Sequence, residues 1–121
     1  MKIEFDHVHL NSADVGAAVD YYVNIFGGEK TAEAEIAGTK MVVVEFGGVR
    51  FLINDKAPTG GPAGTSVDHI GFRVDDMKAA AEELKSRGAE FMLEPMEIAP
   101  GVTVAFVMGP DGMMIELSKG G

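Results

Sequence analysis

The chain has 121 residues, enough for one domain that buries roughly two thirds of its unfolded surface, and its 46% hydrophobic and 24% charged content is that of a soluble globule. Ten Lys and Arg against 19 Asp and Glu leave a net charge of −9, which repels phosphate backbones and anionic bilayers and argues against nucleic-acid or membrane-surface binding. Cysteine is absent, which excludes disulfides and thiolate chemistry; no apolar run approaches the roughly 18 residues of a membrane span, no signal-peptide core precedes the first strand-like segment, and the expected compartment is the cytoplasm.

In chain order, Phe5-Asp6-His7-Val8 begins a strand-like segment that leads to a helix. Val15, Ala18, Val19, Tyr22 and Phe26 recur at helical intervals, Asp14 is placed to cap the first turn, and Gly27-Gly28 ends the run. Strands are predicted over 30–36, 41–46 and 49–53, the last two joined by the hairpin signal Gly47-Gly48. The stretch 55–66 carries Pro58, Gly60, Gly61, Pro62 and Gly64 and reads as a linker; it lacks the lysine and the strand-to-helix setting of a phosphate loop.

The pattern then repeats. Val67-Asp68-His69-Ile70 returns 62 residues after the first histidine segment. Asp76 caps a helix with an apolar stripe of Met77, Ala80, Ala81 and Leu84, closed by Gly88. Strands follow over 90–93, 102–108 and 113–117, the last two separated by the turn Gly109-Pro110-Asp111-Gly112. Each half is therefore strand, helix and three strands. The expected fold is α+β, with module one over 1–57, a linker over 58–66 and module two over 67–121.

Strand side chains alternate, so residues two apart share a face. Phe5, His7 and His9 lie on one face, with Val8 and Leu10 on the other; His69, Gly71 and Arg73 oppose Ile70, Phe72 and Val74; Met114, Glu116 and Ser118 oppose Ile115 and Leu117. The apolar faces are expected to pack on the helices. The faces with ionisable groups must line a cavity, because stranding two imidazoles and a carboxylate in a dry core costs several kcal/mol. His7, His69 and Glu116 are thereby the candidate ligands of one divalent metal ion. Two imidazoles and one carboxylate leave coordination positions open and suit Fe, Mn, Ni, Co or Zn alike.

With those residues in order, the chain resembles the vicinal oxygen chelate superfamily, which includes glyoxalase I, fosfomycin-resistance transferases, methylmalonyl-CoA epimerase, extradiol dioxygenases and bleomycin-resistance proteins. The resemblance runs through Asp6-His7-Val8-His9-Leu10, Asp14-Val15, Tyr21-Tyr22 and Phe26-Gly27, then Asp68-His69-Ile70-Gly71-Phe72 and Val74-Asp75-Asp76, and finally Gly109-Pro110-Asp111-Gly112 with Ile115-Glu116-Leu117. It covers nearly the whole chain. It implies two tandem βαβββ modules whose cupped mixed sheet surrounds a metal site, with helices on the outer face, often completed across a homodimer. By position it assigns His7 and His69 to the two strand-opening ligands and Glu116 to the glutamate of the last strand. The ligand position in the last strand of module one falls on Leu52, which cannot coordinate a metal; a slipped hairpin register would bring Glu45 there instead.

The resulting expectation is a metal-dependent enzyme of lyase or isomerase type, acting on a small oxygenated metabolite that chelates the ion. His9 and Glu116 are the catalytic candidates, His9 as the base that moves a proton and Glu116 through the metal. Arg73 and Arg50 are the candidate contacts to a substrate carboxylate. An Fe(II) extradiol-type dioxygenase is the alternative within the enzyme class, and a metal-free drug-binding resistance protein is the alternative outside it. The methionines, among them Met41, Met108, Met113 and Met114, are read mainly as core filler.

Overall fold

Asp14 and Asp76 start the two helices in the same way. Each sits in extended backbone and takes a hydrogen bond on its side chain from the amide three residues on, Ala17 and Ala79, both at 3.0 Å. That satisfies a first-turn N–H that no helical carbonyl can reach. The computed structural model describes residues 1–2, 5–58 and 69–120. The predicted linker from position 59 onward, and Val67-Asp68 ahead of the second histidine, lie outside the described residues.

The chain divides into two compact units, Met1–Gly61 and Pro62–Gly121. Unit one runs β1 (His7–Ser12), α1 (Val15–Asn24), β2 (Glu29–Ile36), β3 (Thr39–Phe46) and β4 (Val49–Asp55). Unit two repeats the order with β5 (Ile70–Arg73), α2 (Met77–Ser86), β6 (Glu90–Ala99), β7 (Val102–Met108) and β8 (Met114–Lys119), a short 3₁₀ turn at Pro110–Gly112 joining the last two strands. Each unit has its own four-stranded mixed sheet, ordered β1-β4-β3-β2 and β5-β8-β7-β6, in which the first and last strands pair in parallel and the remaining pairs are antiparallel. The expected βαβββ duplication is the observed fold.

In unit one the helix-facing side of the sheet holds Val42, Val44, Phe51 and Ile53, all buried. Tyr22 of α1 meets Phe51 edge-on at 5.4 Å between ring centres, and Phe46 lies 5.2 Å from Phe51. The approach of the chain to this cluster depends on Gly28, where a Cβ would stand 2.6 Å from Val44 Cγ1 and 2.7 Å from Phe46 Cζ. In unit two the buried set is aliphatic: Met77, Ala81 and Leu84 of α2 with Val107, Ile115 and Leu117. Burying each large side chain contributes about 1.5–3 kcal/mol, and the alternate positions are left for the other face.

Most predicted strand limits hold to within two residues, and β6 is the correction. It extends over Glu90–Ala99 rather than stopping at 93. Pro95 lies inside it, and β6 is an outer strand of its sheet. There a missing N–H is tolerated, and the register shift between Leu93 and Met96 absorbs the ring.

Candidate metal centre

The site-bearing face of unit two is built by register. β5 pairs with β8 so that Gly71 stands beside Glu116 and Arg73 beside Ser118, and β7 sets Phe106 on the other flank of Glu116. His69, one residue ahead of β5, packs its ring edge-on against Phe106 at 5.6 Å. Its Nε2 comes to 3.5 Å from Glu116 Oε1. Both side chains are about two-thirds to three-quarters covered, with 33% and 26% exposed. Beside Glu116 is the bare backbone of Gly71, where an added Cβ would meet Glu116 Oε1 at 3.5 Å.

This pair fits a divalent ion. Two donors each about 2.1 Å from one ion stand roughly 3.0 Å apart at an octahedral angle and about 3.4 Å apart at a tetrahedral one. The separation of 3.5 Å needs only a small side-chain adjustment. Imidazole nitrogen with carboxylate oxygen is also a donor pair that borderline divalent metals accept.

In unit one His7 opens β1, and parallel pairing sets it beside Arg50 and sets His9 beside Leu52. The rings of His7 and His9 are 6.1 Å apart, on the same face as the alternation requires. His7 Nδ1 lies 2.6 Å from Asp6 Oδ2, and Arg50 Nη2 donates to that same oxygen at 2.8 Å. The His7 hydrogen bond, and then the Arg50 charge, hold the Asp6 carboxyl below the usual carboxylate range. Arg50, read from sequence as a substrate contact, is thus already engaged with Asp6. Glu45 pairs in register with Arg50, and the hairpin closes on Phe46 and Val49 without a slip. Leu52 is the unit-one counterpart of Glu116, since each is the β4 or β8 residue facing the second position after the histidine.

The structure therefore brings His69 together with Glu116, and His7 together with His9. Among the described residues no group of three or more His, Cys, Asp or Glu side chains is gathered tightly enough to hold an ion. Two residues beside the candidate ligands had no role in the sequence reading: Asp6, partner of His7, and Gly71, which stands beside Glu116. The signal for Asp6 was present, because an Asp-His pair occurs in both halves, at 6–7 and 68–69.

Comparison with known proteins follows the same line. The profile of the Glyoxalase/Bleomycin resistance protein/Dioxygenase superfamily matches residues 4–117. A protein of Vibrio parahaemolyticus serotype O3:K6 named probable lactoylglutathione lyase is 29% identical over 119 residues, spanning 92% of this chain and 86% of the relative. The fold matches the genomically encoded fosfomycin resistance protein FosX from Listeria monocytogenes, complexed with Mn(II) and sulfate, at a TM-score of 0.76 and 18% identity over 100% of this chain and 95% of that one. It also matches TnmS3, an antibiotic binding protein from Streptomyces sp. CB03234, at a TM-score of 0.76 and 22% identity over 97% and 96%. At such identities the likeness to the solved structures is one of fold.

Proposed function

We propose, for a chain that belongs to the Glyoxalase/Bleomycin resistance protein/Dioxygenase superfamily, a divalent-metal-dependent enzyme acting on a small oxygenated metabolite, of lyase or isomerase type. In this reading His7, His69 and Glu116 hold the ion, drawn from the two units of one chain or from two protomers of a homodimer. The observation that carries it is the approach of His69 Nε2 to Glu116 Oε1, 3.5 Å. The name of the Vibrio relative, probable lactoylglutathione lyase, supports the lyase class.

The ion, when bound, supplies Lewis-acid polarisation of a chelating substrate oxygen. The chain's own residues do the rest. His9, two residues along the strand from His7, offers an imidazole to accept and return a proton. Arg73, on the face of Gly71, offers a planar fork to a substrate carboxylate. Phe106 fixes the His69 ring from one side. Dioxygenation at Fe(II) is the alternative within the enzyme class.

A metal-free binding protein is the second reading, favoured by one observation: the position in unit one that corresponds to Glu116 carries Leu52. The fold shared with an antibiotic binding protein is compatible with it. The test is metal analysis of protein purified without chelator, followed by titration of the apoprotein with Zn(II), Mn(II) and Fe(II). His7→Ala, His69→Ala and Glu116→Ala are each expected to weaken binding by at least about 100-fold with an unchanged unfolding midpoint. Parental affinity in all three variants would sink the metal reading and leave sequestration in its place.

A further inference from the structure

Asp6 lies one residue ahead of β1, so its side chain is not committed to either sheet face. The parallel pairing of β1 with β4 puts Arg50 beside His7, across 44 residues of sequence from Asp6. One oxygen, Asp6 Oδ2, then receives two partners: His7 Nδ1 at 2.6 Å and Arg50 Nη2 at 2.8 Å. An ionised carboxylate can only accept, so the ring nitrogen facing it must carry a hydrogen. Neutral imidazole has one N–H, and with that hydrogen on Nδ1 the lone pair belongs to Nε2. An unconstrained histidine side chain favours the opposite tautomer.

From this geometry we infer that Asp6 is the positioning residue of His7: it fixes the ring as the Nδ1–H tautomer and aims Nε2 as the metal-binding nitrogen, while Arg50 anchors Asp6. The inference rests on the reading of His7 as a ligand. Carboxylates that take the second N–H of a ligating histidine orient the ring and raise its basicity. Here the carboxylate is supplied by the adjacent residue and the anchor by the neighbouring strand. Arg50 accordingly acts through Asp6.

The test has an arm that needs no metal. In apoprotein labelled with ¹⁵N-histidine, at about pH 8 and above the ordinary imidazole range, long-range ¹H–¹⁵N correlation is expected to show His7 as the Nδ1–H form. Asp6→Ala is expected to move it to mostly Nε2–H, Arg50→Met to an intermediate population, and Asp6→Asn, whose amide oxygen also accepts, to restore Nδ1–H. In chelator-competition titration with Zn(II), Asp6→Ala is expected to weaken binding about 10–100-fold, with partial recovery in Asp6→Asn. An unchanged His7 tautomer in both Asp6→Ala and Arg50→Met overturns the inference, as does a shifted tautomer with unchanged Zn(II) affinity. Failure of the underlying ligand reading looks different: His7→Ala would then bind Zn(II) as the parent does, whatever the tautomer signal in the Asp6 variants.

Discussion

The two units share a backbone and divide the chemistry between different strands. In unit one the position two after the histidine is His9, and the residue beside it on the last strand is Leu52. In unit two the same two positions are Gly71 and Glu116. Each unit therefore offers one polar group at this level, unit one from its first strand and unit two from its last, opposite an apolar or bare position. A duplicated fold can thus become asymmetric by exchanging side chains between neighbouring strands, with the pairing left intact.

The helix-facing sides differ in kind as well. Unit one is held by the rings of Tyr22, Phe46 and Phe51, and unit two by Leu84, Val107, Ile115 and Leu117. The contrast is open to direct test by unfolding in denaturant. Tyr22→Ala is expected to cost about 3–5 kcal/mol, because it empties the centre of a ring cluster. Leu84→Ala, at the margin of its core with 8% exposure, should fall toward the lower end of about 2–5 kcal/mol. A larger loss at Leu84 would show that the ring cluster is not the heavier of the two cores.

A smaller effect tests where the units are alike. Asp14→Ala and Asp76→Ala each remove one first-turn hydrogen bond of the same length. Each should cost about 1 kcal/mol, and the two values should agree within a few tenths. A clear inequality would mean that the repeated cap is only superficially repeated.

The smallest expected effect lies on β2 and β3 of unit one. Lys30 and Lys40, at 2.5 Å and 2.9 Å, hold the Glu33 carboxyl down to about 2 through their hydrogen bonds. A depressed carboxylate stabilises the fold above its unfolded value and ceases to do so as pH falls through its folded value. Glu33→Gln should therefore lower the thermal midpoint slightly at neutral pH, and the gap should close as pH falls from the ordinary carboxylate range toward about 2. Since exposed ion pairs are weak and screened, added salt should shrink the gap too; a salt-independent difference would point to a packing role instead.

Much of this was legible from local pattern. The repeated Asp-His segments, the capping aspartates, the Gly47-Gly48 hairpin and the alternation that sets Glu116 on the face of Gly71 are short-range signals. They specify elements, order and facing. The full length of β6 is not a short-range signal: a proline inside a strand is tolerated only at an edge, and which strand is an edge depends on the whole sheet.

What the sequence determined by itself is a duplicated βαβββ chain with one histidine opening each copy and a carboxylate in the second copy alone. What only the tertiary structure decided is which groups meet: Asp6 with Arg50 across 44 residues, and His69 with Glu116 of β8. The reason lies in parallel pairing. The strands that bring these side chains together are the first and last of each unit, separated by a helix and two further strands, and their register is set by how the whole sheet packs on its helix, beyond the reach of any neighbouring-residue preference.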